Sequence, residues 1–204
     1  MFKIAVFASG RGSNFQSIID SIKSGEIPAE VKLLLSDKEK SGALKRAESE
    51  EIENIFINPD HFENKVEYEK EIINILEMAE IDLIVLAGYM RILSPLFVKK
   101  YKNKIVNIHP SLLPAFKGLN AQKQALDYGV KYSGCTVHFV DEKMDNGPII
   151  LQAVVKVKED DTVEDLSARI LKEEHKIYPE AVKLIAENRI ELEGRKVKIL
   201  KEEK

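Results

Sequence analysis

Short apolar runs rich in Val, Ile and Leu alternate with helical patterns over the first half of the chain. The runs predict strands at 3–8, 31–35, 54–58, 82–88 and 104–109. Between them apolar residues recur every three or four positions, as at Phe15, Ile18 and Ile22, which predicts helices from about 15, at 42–51 and at 64–80. This alternation predicts an α/β fold with an open, mostly parallel twisted sheet, right-handed crossovers and helices on both faces.

The pattern changes after about residue 130. We expect two late strands at 134–140 and 149–157, which are antiparallel because only a short loop joins them. Helices are predicted at 162–174 and 179–188, and residues 190–192 and 197–200 flank a turn that predicts a C-terminal hairpin. We interpret residues 1–204 as a single domain.

Composition and charge narrow the class of protein. Lys and Arg total 31 against 34 Asp and Glu, giving a net charge of -3, so we expect no nucleic-acid partner. The lone cysteine, Cys135, excludes an intramolecular disulfide, and its apolar surroundings predict that it is buried. No apolar run approaches the ~20 residues of a membrane span or has the form of a signal peptide, so we expect a cytoplasmic protein with no membrane partner.

A glycine-rich turn, Ser9-Gly10-Arg11-Gly12-Ser13-Asn14, lies between the first strand and the first helix. Glycines allow positive φ and a close approach to a ligand, and the N–H groups at a helix start suit a phosphate. The same residues also fit a tight turn that binds nothing, and composition alone does not separate the two interpretations. A dinucleotide pattern needs a third glycine where Phe15 stands, so a single phosphate fits better than NAD.

The stretch Ile105-Val106-Asn107-Ile108-His109-Pro110 is the most informative. The strand period of two puts Asn107 and His109 on one face, and Pro110 ends the strand, so both lie at its carboxyl end, where open α/β sheets bind ligands. The pair suits acyl or formyl transfer, with an amide to stabilise an oxyanion and an imidazole to move a proton. Asp145 is the candidate carboxylate to orient the imidazole, although alone its neighbours indicate only a turn.

Several ordered segments resemble the phosphoribosylglycinamide formyltransferase (glycinamide ribonucleotide transformylase) family. They are 7–14, 86–95, 107–114, 134–140 and 145–150, spread over nearly the whole chain. The resemblance implies a Rossmann-like formyltransferase fold. It also implies transfer of the formyl group of 10-formyltetrahydrofolate to the amine of N1-(5-phospho-D-ribosyl)glycinamide, in the purine pathway that leads to IMP.

The resemblance implies a role for individual residues. It assigns catalysis to Asn107, His109 and Asp145. It assigns binding of phosphoribosylglycinamide to Gly10, Arg11, Gly12, Ser13, Asn14 and Glu174. It assigns binding of 10-formyltetrahydrofolate to Lys65, Met90, Arg91, Ile92, Leu93, Asn107, Asp141 and Asp145. Residues 1–100 would then be the phosphate-binding half and 101–204 the folate-binding and catalytic half of a monomer or weak homodimer. No metal is expected, since no His, Cys and carboxylate cluster has ligand spacing.

The chain departs from some members of that family. Asn120 lies in a segment where some members carry histidines, and Leu171 stands where a polar residue near Glu174 is expected. We interpret His138 and His175 as structural.

Related activities remain as alternatives. A formyltetrahydrofolate hydrolase shares the core but adds an N-terminal regulatory domain, and methionyl-tRNA formyltransferase adds a basic tRNA-binding domain. We expect neither domain in this chain. A non-catalytic nucleotide-binding module would explain the glycine turn, but it gives no reason for Asn107, His109 and Asp145 together.

Overall fold

The computed structural model describes residues 1–201. Contacts between residues divide the chain into two compact units, a first unit of residues 1–106 and a second unit from Asn107 onward. The single-domain interpretation stays a prediction.

The first unit alternates strands and helices, as predicted. Its strands are β1 (Phe2–Phe7), β2 (Ala29–Ser36), β3 (Asn54–Phe56), β4 (Leu83–Leu86) and the start of β5 (Ile105–His109). Its helices are α1 (Ser13–Lys23), α2 (Gly42–Ser49), α3 (Lys65–Met78) and α4 (Pro95–Lys100), with a 3-10 turn at Pro59–His61. β1 pairs in parallel with both β2 and β4, and β2 pairs in parallel with β3.

The second unit carries the late antiparallel strands. Its elements are α5 (Ala121–Tyr128), β6 (Tyr132–Phe139), β7 (Ile149–Lys156), α6 (Val163–Ala186), β8 (Ile190–Glu193) and β9 (Lys196–Ile199). β6 pairs antiparallel with β7, and β8 with β9. The described strands form a seven-stranded sheet in the order β3-β2-β1-β4-β5-β6-β7 and a separate hairpin, β8-β9. The predicted mostly parallel sheet and terminal hairpin are therefore confirmed.

One predicted helix break is wrong. Helices were expected at 162–174 and 179–188, but the structure has a single helix there, α6, which is 24 residues long and includes Pro179. A proline inside a helix removes one hydrogen bond and crowds the carbonyl four residues earlier, at a cost of about 3 kcal/mol. Burial of Ile170, Tyr178 and Val182 on one face continues across it. The helix also starts firmly, because Thr162 and Asp165 form a capping box. Packing along the whole helix therefore outweighs the local cost of the proline.

Two short helices were missed. α4 has only six residues, and α5 buries only two alanines, Ala121 and Ala125, so neither shows a clear apolar period. α4 has a local start signal: Ser94 accepts a hydrogen bond from the Phe97 N–H and precedes Pro95, a combination that favours a helix start.

The buried strands of the first unit bring its loops to one edge. Residues 4–7 of β1 and 83–85 of β4 are almost fully buried, as predicted for a strand covered on both faces. Parallel strands end at the same edge of a sheet, so the segments after β1, β2 and β4 meet there. Ser9 joins all three: its N–H donates to Gly88 O at 3.1 Å, its hydroxyl donates to Asp37 at 2.5 Å, and the Met90 N–H donates to that hydroxyl at 2.9 Å.

We expect the buried face of α3 to contribute strongly to stability. Ile72 is fully buried, so Ile72→Ala should lower the free energy of unfolding by about 2–5 kcal/mol. Met78, on the same helix, is 86% exposed, so Met78→Ala should change the free energy of unfolding by less than ~0.5 kcal/mol. Urea unfolding of both variants checks this, and equal effects would contradict the packing described for α3.

Candidate active site

His109, near the end of β5, has its two ring nitrogens in different surroundings. The ring is buried, and Nε2 lies 2.8 Å from the backbone oxygen of Phe116. A carbonyl oxygen only accepts, so Nε2 carries the hydrogen of this bond. Nδ1 lies 3.4 Å from Oδ2 of Asp145. Proton exchange at this ring is therefore left to Nδ1 and the carboxylate that faces it.

Asp145 is held in the loop between β6 and β7. Its backbone has a φ of 46°, and its Oδ2 accepts a hydrogen bond of 2.8 Å from the Gly118 N–H. Two residues later the chain passes so close to β6 that a Cβ on Gly147 would lie 1.8 Å from the Phe139 oxygen. Asp141 accepts hydrogen bonds within the same loop, from the Lys143 N–H and the Asn146 side chain. Backbone N–H groups therefore hold both carboxylates, and the Asn146 amide adds a side-chain bond to Asp141.

Asn107 contacts a histidine that the sequence interpretation left outside the site. Its side-chain nitrogen Nδ2 lies 3.4 Å from Nε2 of His138, which is also 3.9 Å from Oδ1 of Asp145. Nδ1 of His138 lies 2.8 Å from the Phe139 oxygen. Burial lowers the pKa of His138, which favours the neutral ring. The strand period places Thr136 and His138 on one face of β6, a signal that could have indicated His138.

The segment that presents the Phe116 oxygen is anchored to β6 and β7. The Thr136 hydroxyl donates to Ser111 O at 2.7 Å and accepts from the Leu113 N–H at 3.0 Å. Gln152 donates from Nε2 to Leu113 O at 3.0 Å and to the Thr136 hydroxyl at 2.9 Å. These bonds restrain the chain immediately after His109, and they were not expected from the sequence.

The glycine-rich turn lies in the first unit. Gly12, with a φ of 72°, is the N-cap of α1, and no side chain caps this helix start. The N-cap is therefore a glycine, although Ser13 and Asn14 follow it directly. A cavity of about 540 Å³ opens beside Gly10 and Arg11. Its other lining residues are Ser9, Lys38, Glu39, Lys40, Ser41 and Gly42. The cavity is lined by the start of α2 and by the cations Arg11, Lys38 and Lys40 against one carboxylate, Glu39, which suits an anion.

The residues that the resemblance assigns to folate in the first unit lie around α3 and after β4. Met90 and Ile92 are 68% and 66% exposed, which suits contact with a flat, partly apolar ring. Arg91 lies over the ring of Tyr68, with its Cζ 5.3 Å from the ring centre. Lys65 begins α3 and is exposed, 3.8 Å from the buried Glu69, which accepts a hydrogen bond from the Ser94 N–H.

The remaining predicted residues have separate surroundings. Glu174 is buried on α6. Cys135 is buried, as predicted, and burial raises the pKa of its thiol to about 12. Within residues 1–201, no group of three or more His, Cys, Asp or Glu side chains is arranged to hold a metal ion. None of the helices described for this chain combines the length and the apolar character needed to cross a bilayer.

The fold is that of a formyl transferase. The family model of that description matches residues 2–182, so the chain belongs to the formyl transferase family. Membership implies a one-carbon donor of the folate type, and the relatives named for phosphoribosylglycinamide indicate small-molecule substrates.

Individual relatives narrow the comparison. The phosphoribosylglycinamide formyltransferase of Bacillus subtilis is 48% identical over 183 residues, which cover 90% of this chain and 94% of that protein. The crystal structure of glycinamide ribonucleotide transformylase 1 from Symbiobacterium toebii matches with a TM-score of 0.96 and 48% identity, covering 98% of this chain and 95% of the other. The human trifunctional purine biosynthetic protein adenosine-3 is 47% identical over 202 residues, which cover 98% of this chain and 20% of that protein. The resemblance drawn from the motifs is confirmed.

The turn before α1 allows a stability prediction. A Cβ on Gly12 would lie 2.8 Å from the Cβ of Ala43, at a φ that disfavours side chains, so Gly12→Ala should lower the free energy of unfolding by about 1–3 kcal/mol. A Cβ on Gly10 would meet no atom within 4 Å, so Gly10→Ala should change the free energy of unfolding by less than ~0.5 kcal/mol. Thermal and urea unfolding measure both, and a stable Gly12→Ala variant would contradict the close approach of α2.

Proposed function

We propose that this chain transfers the formyl group of 10-formyltetrahydrofolate to the amine of phosphoribosylglycinamide, giving the N-formyl product and tetrahydrofolate. The observation that carries the proposal is the His109 ring, with Nε2 bonded to Phe116 O and Nδ1 3.4 Å from Asp145. The likeness over nearly full length to relatives named for this activity supports the same substrate.

The chemistry requires a hydrogen-bond donor to the oxyanion and a group that accepts a proton. The substrate amine attacks the formyl carbon, which places negative charge on the oxygen and positive charge on the nitrogen. We assign the oxyanion contact to the Asn107 amide, and removing one such donor typically costs ~3 kcal/mol of transition-state stabilisation. The ammonium proton passes to Nδ1 of His109 or to Asp145, and it returns to the folate nitrogen as the old C–N bond breaks. Atoms and protons then balance.

The binding roles are proposed from chemistry. The N–H groups at the start of α1, within Gly10–Asn14, together with the Arg11 side chain, would bind the substrate phosphate. The Glu174 carboxylate would accept from the glycinamide amine. The exposed Met90 and Ile92, with Leu93, suit the pterin ring. The remaining folate contacts would be Lys65, Arg91 and Asp141.

A hydrolase of the same family would use water in place of the amine. Steady-state assays with 10-formyltetrahydrofolate, with and without phosphoribosylglycinamide, distinguish these activities. We expect turnover that depends on the amine, with one N-formyl product for each tetrahydrofolate formed. Release of formate without the amine would support the hydrolase, and an absence of any turnover would support a binding module. A cytoplasmic monomer or weak homodimer stays a prediction.

His109→Ala and Asp145→Ala should each lower kcat by at least ~10², because each removes one half of the proton-exchanging pair. Both variants should keep a wild-type far-UV circular dichroism spectrum. His61→Ala is the control, since His61 is exposed on the 3-10 turn and its loss should leave kcat unchanged. Near-normal turnover in either variant of the pair would show that its role is misassigned.

We also expect activity to survive a metal chelator. No proposed step needs a Lewis acid, because Asn107 and the His109–Asp145 pair supply the oxyanion contact and the proton exchange. Dialysis against EDTA should leave kcat within about twofold of the untreated protein. Loss of activity that added Mg²⁺ or Zn²⁺ restores would contradict this mechanism.

A further inference from the structure

His138 lies beside the proposed catalytic group, although it takes no part in the proposed transfer. It is 2% exposed and is the residue before the last of β6. Its Nδ1 lies 2.8 Å from the Phe139 oxygen, which can only accept, so Nδ1 carries a hydrogen. In a neutral ring Nε2 is then an acceptor with a free lone pair.

The acceptor at Nε2 determines how the Asn107 amide is turned. Nδ2 of Asn107 lies 3.4 Å from Nε2 of His138, within reach of an N–H···N contact. Rotating the amide by half a turn would place the Asn107 oxygen opposite Nε2, so that the lone pairs of these two atoms would repel each other. The neutral tautomer of His138 therefore favours one of the two orientations that an asparagine side chain otherwise adopts with similar ease.

We propose that His138 is a positioning residue, which holds the Asn107 amide so that its second N–H is available to the oxygen of the reacting carbonyl. This inference rests on the proposed formyl transfer. One N–H of Nδ2 is used by His138, and the other remains on the same nitrogen to stabilise developing negative charge.

Burial outweighs the carboxylates near the ring. Asp145, whose nearest oxygen lies 3.9 Å from Nε2, and Asp141 raise the pKa of His138, but burial is the largest effect and lowers this pKa overall, and His109 lowers it further. If Nε2 were protonated, its charge would attract the Asp145 carboxylate and its hydrogen would repel the Asn107 N–H. The contact with Asn107 therefore needs the neutral ring that burial favours.

Replacing His138 by Asn or by Gln tests the contacts of its two ring nitrogens separately. In His138→Asn the side-chain nitrogen can keep the bond to Phe139 O, but no atom reaches the position of Nε2. In His138→Gln the longer side chain places its carbonyl oxygen near Nε2. We expect His138→Asn to lower kcat at least about tenfold with KM for both substrates within about twofold, and His138→Gln to recover most of that loss. His61→Asn is the matched surface control, with unchanged kcat.

A double-mutant cycle tests whether His138 acts through Asn107. If it does, His138→Asn should cause no further loss in an Asn107→Ala background. The inference would be overturned if the kcat losses of the two single variants multiplied in the double variant. A wild-type kcat in His138→Asn, or a His138→Gln variant as slow as His138→Asn, would also overturn it.

A measurement that needs no turnover separates this inference from the proposed function. Nitrogen-15 NMR of the wild-type protein near pH 7 reports which ring nitrogen of His138 is protonated. We expect a proton on Nδ1 and an unprotonated Nε2. A proton on Nε2 would overturn the positioning role even if formyl transfer is observed. An unprotonated Nε2 in a protein that transfers no formyl group would support the Asn107 contact while the proposed function fails.

Discussion

The hydrogen bond between His109 and the Phe116 oxygen is the constraint on which the arrangement of the proposed catalytic group depends. It commits Nε2 to the backbone and leaves Nδ1 as the only ring nitrogen facing a carboxylate. The bond exists because the chain turns back after Pro110. Thr136 and Gln152 hold that turn through Ser111 and Leu113. An imidazole restrained in this way can exchange a proton without first changing its orientation, which lowers the reorganisation required during a reaction.

Backbone proximity positions the opposing carboxylate. β6 and β7 approach so closely that a Cβ on Gly134 would lie 1.9 Å from the Ala153 oxygen, and Gly147 repeats this at the end of the loop that carries Asp145. With Gly118 donating to the carboxylate, Asp145 is held by main-chain atoms. Positions built on strands and close backbone contacts vary less than positions built on long side chains, so the 3.4 Å separation from His109 is a property of the fold.

Local patterns were sufficient for the strands and for part of the site. The period of two and Pro110 placed Asn107 and His109 together on β5 because both signals lie within six residues. Asp145 is different, because its neighbours indicate only a turn and its approach to His109 depends on the pairing of β6 with β7, which no local pattern contains. His138 was assigned a structural role for the same reason: its contact with Asn107 crosses between strands. Pro179 shows the opposite error, where a strong local signal was outweighed by packing along α6.

The catalytic group alone cannot determine which amine receives the formyl group. An amide, an imidazole and a carboxylate serve any nucleophile, including water, so a fold shared by several activities needs other residues for selection. Discrimination is strongest where a site provides polar groups that the wrong substrate leaves without partners. The start of α1, with Gly12 at its N-cap and Arg11 beside it, offers positive charge that favours a phosphorylated amine over water. We therefore infer that selection for a phosphorylated amine depends on this turn, whereas the rate of transfer depends on the fixed geometry around His109.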